Sequence, residues 1–510
     1  MREPRPGSGP PVVEPFDAHN QRLVGNVHPP DWIAPKAAGR YHLVVIGGGT
    51  AGLVSAAIAS GLGAKVALVE RHLLGGDCLN VGCVPSKGVI RGARAFKEVR
   101  EASARFGAPR PGSHGGDFAA VMERMRRLRA DLSVVDSAAR FRDLGVDVFL
   151  GEGRFVAGDA LEVAGQRLRF RKAVVATGGR AAAPPIRGLD QIAYLTHENL
   201  FSLTELPPRL GVIGGGPIGC EMAQAFAQLG SRVHLFHRGA RILPRDDGDA
   251  ARIVQTAMAD DGVDLHLGVE VAEVRQAGAQ KVVVLERGGE RQEVAVEELL
   301  VAVGRAPNVE GLGLEAAGVD YDRDGIEVDD RMRTTNARIY AIGDVASRYK
   351  FTHLADAQAR RVVQNALFFG RGKASRIVVP WCTYTSPEVA HVGMTAQEAE
   401  EAAVETVTVE LADVDRARLD GEEEGFLRLY LKKGSDKILG GTLVAAHAGD
   451  MIGPLALAVT HGLGLGKFSQ TVFPYPTQGE VYRKAGDAWS RKRLTPTVRR
   501  MFDLWFKLWP

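Results

Sequence analysis

The sequence predicts an α/β protein that contains two Rossmann-type dinucleotide-binding domains. An apolar strand, a G-x-G-x-x-G turn, a helix of small residues and a second apolar strand begin at His42, and the same order returns at Leu210. The chain has 510 residues, enough for two to four domains, and 45% of them are hydrophobic, as in globular proteins with a large core. A repeated unit of this kind predicts parallel sheets covered by helices.

The first unit combines a glycine-rich turn with an acidic residue at the end of its second strand. Its strands are predicted at His42–Ile46 and Lys65–Val69, with a helix through Ala64 between them. Glu70 follows the second strand, 18 residues after the last turn glycine, where a carboxylate can accept a hydrogen bond from a ribose hydroxyl. The turn glycines provide a tight turn, close approach of a pyrophosphate and packing of helix on strand. They are Gly47, Gly49 and Gly52.

A pair of thiols follows this unit directly. Cys78 and Cys83 are separated by four residues, and Lys87 comes shortly after them. A regular helix would place the two Cα atoms roughly 7.5 Å apart, beyond the roughly 7 Å that a disulfide tolerates. The segment must therefore bend, which Gly82 permits, before a helix restarts at Pro85. A thiol near a helix start has a lowered pKa, so the pair is predicted to exchange between disulfide and dithiol.

The alternative for this pair is a structural disulfide or half of a zinc site. A C-x4-C spacing is not the usual zinc knuckle, and the other two cysteines, Cys220 and Cys382, are too scattered to complete four ligands. We expect both to be packed core thiols. Four cysteines in so long a chain indicate a reducing compartment, so we expect a cytoplasmic protein.

The second unit has no acidic residue at the position that Glu70 holds in the first. Its strands are predicted at Leu210–Ile213 and Arg232–Phe236, and His237 takes the place of the acid. Arg238 and Arg241 follow, and arginine can bind a 2′-phosphate that a carboxylate would repel. NADPH is therefore favoured over NADH, the alternative being that the arginines form a solvated surface. The turn glycines are Gly214, Gly216 and Gly219.

Two further apolar strands end in residues suited to a cofactor. The run from Ala173 to Ala176 closes on Thr177 and Gly178, and the run from Ile339 delivers Gly343 and Asp344. A carboxylate at a strand end can accept hydrogen bonds from polyol hydroxyls. A helix is predicted over 353–369 after Asp344.

Two dinucleotide fingerprints with a dithiol just after the first resemble the pyridine nucleotide-disulfide oxidoreductases, which include dihydrolipoamide dehydrogenase, glutathione reductase and mercuric reductase. The resemblance covers residues 41 to about 488. It implies that the first unit binds FAD, that the second binds NADPH or NADH, and that an α+β dimerisation domain makes the protein a homodimer. The residues implied for FAD are Gly47, Gly49, Gly52, Glu70, Lys87, Gly343 and Asp344, and those implied for the nicotinamide nucleotide are Gly214, Gly216, Gly219 and Glu221. Further candidates for cofactor binding are Thr177, Gly178, Arg238, Arg241 and Gly304.

The resemblance also implies catalytic roles. Cys83 would be the thiol against the flavin and Cys78 the interchange thiol that faces the substrate, while Lys87 and Glu221 would pair near the flavin. Electrons would pass from NAD(P)H through FAD to this disulfide.

The chain departs from the family at one position near its C-terminus. Members that reduce disulfides resemble one another in a His-Pro-x-x-x-Glu segment, in which histidine protonates the interchange thiol across the dimer. Here Tyr475 stands in place of the histidine and Glu480 in place of the glutamate, and tyrosine with a pKa near 10 is a poor base. Tyrosine there is similar to mercuric reductase, although residues 506–510 lack that enzyme's terminal cysteine pair and residues 1–40 contain no cysteine.

These features predict a reductase whose acceptor is a small-molecule disulfide or a soft metal ion such as Hg(II). The alternatives are a dihydrolipoamide dehydrogenase and a membrane-associated quinone-type reductase. A net charge of +3 is too small to imply nucleic acid as a partner. The predicted divisions are an N-terminal arm (1–40), the first part of the FAD domain (41–185), the NAD(P) domain (186–308), the second FAD or central part (309–378), the dimerisation domain (379–488) and a basic amphipathic tail (489–510).

The two ends of the chain are predicted to differ. The arm is rich in proline and is expected to lie on or off the body, with Val24, Trp32 and Ile33 as contacts. In the tail, Thr495-Pro496 is predicted to cap and begin a helix with apolar residues at helical spacing. That helix either packs on its own dimer or makes a peripheral contact at the inner surface of a membrane.

Overall fold

The first nucleotide-binding unit forms a mostly parallel sheet in the computed structural model, which describes residues 13–108 and 117–509. The strand order is β3-β2-β1-β6, with β5 and β4 added antiparallel at one edge. Every residue of β1 from Leu43 to Ile46 is buried, as expected for a strand covered on both faces. The strands are β1 (Arg40–Ile46), β2 (Val66–Glu70), β3 (Val146–Leu150), β4 (Arg154–Ala157), β5 (Ala160–Val163), β6 (Gln166–Val175) and β7 (Gly179–Ala181).

Six helices accompany these strands, and two of them carry the dithiol. The helix predicted to restart at Pro85 begins at Cys83 instead, so the second thiol is itself the first helical residue. A glycine-containing turn separates β3 from β4. The helices are α1 (Ala18–Val27), α2 (Thr50–Gly61), α3 (Gly76–Asn80), α4 (Cys83–Phe106), α5 (Phe118–Leu132) and α6 (Ala138–Asp143).

The arm lies on the body of the protein over its described residues. Leu23 and Val27 of α1 are fully buried, and Val24 is nearly so. Trp32 donates its indole N–H to the Val148 carbonyl at 3.0 Å. The expected contact of Ile33 is wrong, because that side chain is 89% exposed.

The second unit has a parallel sheet of order β10-β9-β8-β14 and an antiparallel sheet β11-β12-β13 beside it. β15 pairs with β7 and so joins the two units. Its elements are β8 (Arg209–Ile213), α7 (Pro217–Leu229), β9 (Arg232–His237), α8 (Gly248–Asp260), β10 (Val263–Leu267), β11 (Glu270–Ala277), β12 (Gln280–Arg287), β13 (Glu290–Val296), β14 (Glu298–Val301) and β15 (Arg305–Pro307).

The chain then returns to the first sheet. A short hairpin leads to a strand that pairs parallel with β6, and the helix predicted over 353–369 follows at slightly earlier bounds. This return places Asp344 at the carboxyl edge of the first sheet, where ligands of parallel sheets bind. The elements are β16 (Tyr321–Asp322), β17 (Gly325–Ile326), β18 (Ile339–Ala341) and α9 (Thr352–Leu367).

The last part is an α+β unit around an antiparallel sheet of order β19-β20-β23-β22-β21. Its core includes Leu429, Leu443 and Tyr482, all at or near zero exposure. The fold class predicted from the sequence is thereby confirmed. The elements are β19 (Trp381–Thr383), β20 (Glu388–Gly393), α10 (Ala396–Glu401), β21 (Glu405–Glu410), α11 (Asp415–Asp420), β22 (Phe426–Leu431), β23 (Ile438–Ala445), α12 (Ala448–Met451), α13 (Gly453–His461), α14 (Gly466–Gln470), α15 (Glu480–Lys492) and α16 (Pro496–Leu508).

The tail helix begins as predicted but makes few contacts with the body. Thr495 accepts a hydrogen bond from the Val498 N–H and caps α16, with Pro496 in the first turn. None of the residues of α16 is buried, including Trp505 and Phe506. Over residues 13–108 and 117–509, no helix combines the length and apolar character needed to cross a membrane.

Candidate active site

The two thiols of the predicted pair lie on consecutive helices. Cys78 is in the middle of α3 and Cys83 is the first residue of α4, and both are free thiols. Gly82 joins the helices, and a Cβ at this position would lie 2.8 Å from the Asp77 carbonyl oxygen. The Cys83 sulfur lies 3.3 Å from the hydroxyl of Thr352, the first residue of α9. The bend that the spacing requires is therefore present.

The protein shifts the pKa values of the two thiols in opposite directions. A hydrogen bond from Cys78, reinforced by Thr352 and by the charge of Lys87, lowers the pKa of Cys83 from an ordinary 9.0 to about 6. The same hydrogen bond, together with burial, raises the pKa of Cys78. At pH 7, Cys83 is therefore a thiolate and Cys78 keeps its proton.

A charged pair lies beside Cys83 and links it to the second unit. Lys87 donates to Glu221 at 2.9 Å, and only 7% of the Glu221 side chain is exposed. The other Glu221 oxygen accepts the backbone N–H of Tyr384 at 3.0 Å. The Lys87 ammonium also lies 4.3 Å from the centre of the Tyr384 ring. Residues from all three parts of the chain thus meet at this point.

The first glycine fingerprint has the shape of a phosphate cradle. A Cβ at Gly47 would overlap the Ala176 carbonyl, and a Cβ at Gly52 would overlap the Gly47 carbonyl. At Gly49, by contrast, the nearest atom would be 3.7 Å away. Gly47 and Gly52 therefore allow the tight turn and the close packing of helix on strand. Gly49 leaves the backbone accessible to a ligand at the start of α2.

The second fingerprint repeats this geometry. A Cβ would overlap the Ala302 carbonyl at Gly214 and the Gly214 carbonyl at Gly219, whereas nothing lies within 4 Å at Gly216. Pro217 then begins α7 as its first residue. Both units therefore present an open glycine at a helix start, which fits one dinucleotide pyrophosphate each.

The residues at the ends of β2 and β9 occupy equivalent places. Glu70 accepts the N–H of Gly48 at 2.5 Å and that of His72 at 2.6 Å, and burial raises its pKa. In the second unit, His237 Nδ1 accepts the N–H of Gly215 at 3.2 Å. Burial lowers the pKa of His237, so the second unit has a neutral ring where the first has a carboxyl group.

The two arginines after β9 differ in how they are held. Arg241 donates to the carbonyls of Leu243, Pro244 and Asp246 at 3.1 to 3.2 Å. Arg238 is exposed, and no hydrogen bond or ion pair of its side chain occurs among the described residues. Arg238 is therefore available to a ligand, whereas Arg241 is held by backbone carbonyls.

Thr177, Gly178 and Gly304 lie where the two units are joined. Thr177 donates its hydroxyl to the Asn308 carbonyl at 2.8 Å, and the Asn308 N–H donates to the Gly178 carbonyl at 3.0 Å. The Gly304 carbonyl accepts the N–H of Ala182 at 3.1 Å. These bonds fix the end of β6 against the segment around β15.

A polar cluster around Arg305 was not predicted from the sequence. Arg305 donates to Asp344 at 3.0 Å, to Asp77 and to the Gly179 carbonyl, and its Nη1 lies 2.8 Å from His197 Nε2. Asp77 directly precedes Cys78, so the cluster ties the dithiol segment to the predicted polyol-binding carboxylate. The participants are far apart in sequence and show no common spacing, so no pattern could have revealed them. Gly343, next to Asp344, donates its N–H to Gln358 at 2.8 Å.

Family models match nearly the whole described body of the chain. Residues 41–359 match the model for pyridine nucleotide-disulphide oxidoreductase, and residues 379–485 match that family's dimerisation domain. The chain belongs to this family. It is accordingly an FAD-containing, NAD(P)H-dependent oxidoreductase, and its dimerisation domain supports a homodimer.

Individual family members show the same relationship. The chain is 37% identical to a mercuric reductase of Bacillus cereus, over 87% of this chain and 71% of that protein. It is 34% identical to a mercuric reductase of Streptomyces lividans, over 88% of this chain and 96% of that protein. It is 32% identical to a dihydrolipoyl dehydrogenase of Chlorobaculum tepidum, over 89% of this chain and 97% of that protein.

Among solved structures, the chain is similar to the Cu(II) complex of the HOCl-induced flavoprotein disulfide reductase RclA from Escherichia coli. The TM-score is 0.78 and the identity 29%, over 87% of this chain and 98% of that one. The glycine cradle at Gly49 and the exposed sulfur of Cys83 fit the FAD that this family contains.

The two predicted residues of the dimerisation domain do not contact each other. Tyr475 is 70% exposed, and its hydroxyl donates to Asp415 at 3.0 Å, which raises its pKa. Glu480 is buried and accepts from Arg483, and its other oxygen has no hydrogen-bond partner among the described residues. The tyrosine therefore does not reproduce a histidine–glutamate pair.

The remaining cysteines lie in different surroundings. Cys220 is fully buried in the hydrophobic core beneath the second fingerprint, as expected. Cys382 is half-buried, and its sulfur lies 3.9 Å from a carboxylate oxygen of Glu388. Burial raises the pKa of both thiols, so neither is ionised at neutral pH.

Proposed function

We propose that this enzyme transfers electrons from NADPH through FAD to the Cys78–Cys83 pair and from there to a soft metal ion, Hg(II). The observation that carries the proposal is a dithiol with a stabilised thiolate in a chain that has tyrosine at 475. Reduction of a disulfide substrate requires an acid to protonate a leaving thiolate. A thiolate pair that binds a soft metal ion requires no such acid.

The residues around the dithiol have separate tasks in this reaction. FAD held at the turn around Gly49 would supply hydride acceptance and transfer of an electron pair. Thr352 and Lys87 stabilise the negative charge on Cys83, and Glu221 holds the Lys87 ammonium in place. Cys78 keeps a proton that must leave when the metal binds, so binding of Hg(II) releases a proton from this thiol.

The second unit favours NADPH as the electron donor. A carboxylate at the end of β9 would repel a 2′-phosphate, and His237 is neutral there. Arg238, the residue after His237, is exposed and can bind phosphate in a bidentate manner.

Cu(II) is the second candidate acceptor. The similar RclA structure is a Cu(II) complex of a flavoprotein disulfide reductase. Thiolates also select Cu(I), the product of one-electron reduction, so two Cu(II) ions would take the electron pair of one NADPH.

An anaerobic titration tests this function. The purified holoenzyme is reduced with NADPH, and Hg(II) with excess thiol, Cu(II), lipoamide or glutathione disulfide is added in separate cuvettes. Reoxidation by Hg(II), lost in Cys83→Ser and retained in the matched thiol variant Cys382→Ser, is the expected result. Reoxidation by a disulfide and not by either metal would refute the proposal.

The tail provides a second surface, which we assign to peripheral contact with an anionic membrane. Residues 489–509 contain six basic side chains and one acidic one, and the large apolar residues of α16 from Met501 to Leu508 are exposed. Two such helices would repel each other in a dimer contact, whereas anionic lipid attracts them. Binding of the intact enzyme to phosphatidylglycerol vesicles, but not of a variant ending at Lys492, is expected. Loss of the dimer in that variant without any vesicle binding by the intact enzyme would refute the assignment.

A further inference from the structure

The N-terminal arm is packed against the segment that leads into the dithiol, although it precedes the first residue of the family match. That match begins at residue 41. Leu23 and Val27 of α1 share one buried cluster with Leu73, Leu74 and Leu79. The arm therefore contributes to the core directly beneath α3.

Backbone contacts join the arm to the same segment. The Leu74 N–H donates to the Val27 carbonyl at 3.2 Å, and the His28 ring bonds to the His72 carbonyl. Both contacts lie just before Gly75 and Gly76, where the chain turns into α3. The path of the chain into the dithiol is thus set by arm residues.

A buried arginine connects the arm to the other end of α3. Arg129 of α5 is only 2% exposed and donates to the Asn80 carbonyl at 2.6 Å and to the Asn20 side-chain oxygen at 2.7 Å. Asn20 is itself fully buried and is held by Asp17 and the Pro15 carbonyl. Asn80 is the last residue of α3, two positions after Cys78.

Arg129 has no ion-pair partner among the described residues. Burial lowers its pKa to about 10, a sign that the charged form is poorly solvated. A buried guanidinium without a carboxylate is costly unless neutral oxygens satisfy its donors. The Asn80 carbonyl and the Asn20 side-chain oxygen each accept from one guanidinium nitrogen, while the buried Nε has no partner among the described residues. The position of Arg129 therefore depends on both oxygens.

We propose that the relay Asn20–Arg129–Asn80 positions the interchange thiol, and that the arm is in this way part of the redox site. The carbonyl of Asn80 closes α3, so fixing it fixes the helix that presents Cys78 to Cys83. The inference relies on the assignment of Cys78 and Cys83 as the redox pair, but not on the identity of the electron acceptor.

Alkylation of the reduced holoenzyme tests the relay. The rate at which iodoacetamide modifies Cys78 and Cys83 is followed by peptide mass spectrometry as a function of pH. In Asn20→Ala we expect Cys78 to react about tenfold faster. Displacement of α3 would weaken the hydrogen bond that Cys78 donates to the Cys83 thiolate, and loss of one hydrogen bond to a charged group corresponds to about that factor. The pH midpoint for Cys83 should rise, since Cys78 no longer donates to it steadily.

Two variants separate positioning from simple attachment of the arm. Arg22→Ala breaks an exposed 2.6 Å ion pair with Asp131 that joins the same two helices, and it should leave both thiols unchanged. Asn20→Asp keeps an acceptor for Arg129 and should restore the slow rate at Cys78. If Asn20→Ala does not fold, Asn20→Ser serves in its place with the same expected direction.

The relay is refuted if the Asn20 variant melts at a lower temperature yet shows thiol rates and midpoints equal to the wild type. It is also refuted if Arg22→Ala has the same effect as Asn20→Ala. Alkylation needs no electron acceptor, so these outcomes are independent of the metal titration, and failure of Hg(II) reduction alone would leave them unchanged.

Discussion

Replacing Cys78 with alanine should raise the pKa of Cys83, so that a large fraction of this thiolate becomes protonated at neutral pH. The hydrogen bond from Cys78 is the largest of the effects that lower the pKa of Cys83 from 9.0 to about 6. A hydrogen bond to a charged group contributes about 1.5–3 kcal/mol, which corresponds to about one to two pH units. The midpoint should therefore rise to about 7–8. At pH 7, the ionised fraction would fall from about nine in ten to about half or less.

The rate of Cys83 alkylation between pH 5 and 10 measures this midpoint. Cys382→Ala is the matched control, because it removes a half-buried thiol that does not bond to Cys83. Lys87→Met should raise the midpoint by less than Cys78→Ala, since its charge ranks behind the hydrogen bonds from Cys78 and Thr352. An unchanged midpoint in Cys78→Ala, or a larger shift in Lys87→Met, would show that the hydrogen bond is not the main cause.

Three further substitutions test other parts of the site. Gly52→Ala should lower the free energy of unfolding by about 1–3 kcal/mol in chemical denaturation, because its Cβ would overlap a backbone carbonyl. Gly61→Ala is the control in the same helix: its Cβ would meet nothing within 4 Å, so the change should be neutral or stabilising. Arg238→Ala should raise KM for NADPH about tenfold or more and leave KM for NADH unchanged in steady-state assays, as expected for loss of a charge-assisted bond to phosphate; equal effects on both nucleotides would contradict this role. Tyr475→His should raise kcat/KM for a small disulfide at least about tenfold, because histidine, with a pKa near neutrality, can supply the acid that tyrosine cannot. No gain would mean that another feature limits that activity.

The sequence was informative wherever function depends on local spacing. The glycines at 47, 49 and 52 and the strand ends at Glu70 and His237 have a fixed order along the chain, so their geometry could be expected from the pattern alone. The start of α4 was predicted two residues late. Proline at 85 is acceptable in a first helical turn, and the sequence does not show that the turn already includes Cys83.

Contacts between residues distant in sequence were not predictable in this way. The bond from Arg129 to Asn80 and the bonds from Arg305 to Asp77 and Asp344 join residues 39 to 228 positions apart. Each of these residues has a polar side chain in an ordinary context, and a polar residue gives no periodic signal. Only the folded chain shows that Arg129 and Arg305 hold α3 from both of its ends.

The arm was underestimated for a related reason. Its prolines and polar residues indicate little structure, and the buried face of α1 is short, with Asn20 among its buried residues. Leu23 and Val27 become core residues only because α5 and the segment before α3 supply a surface for them. The same composition without that surface would have remained an exposed extension.

The buried arm changes where this protein can safely be divided. A recombinant fragment that begins at residue 41, the first position of the family match, would keep both glycine fingerprints and the dithiol. It would also leave an apolar socket open to water where Leu23 and Val27 now lie. Such a fragment would expose apolar surface close to Cys78 and Cys83, which favours aggregation. A reporter or affinity tag should therefore be placed before residue 13 and should not replace the arm.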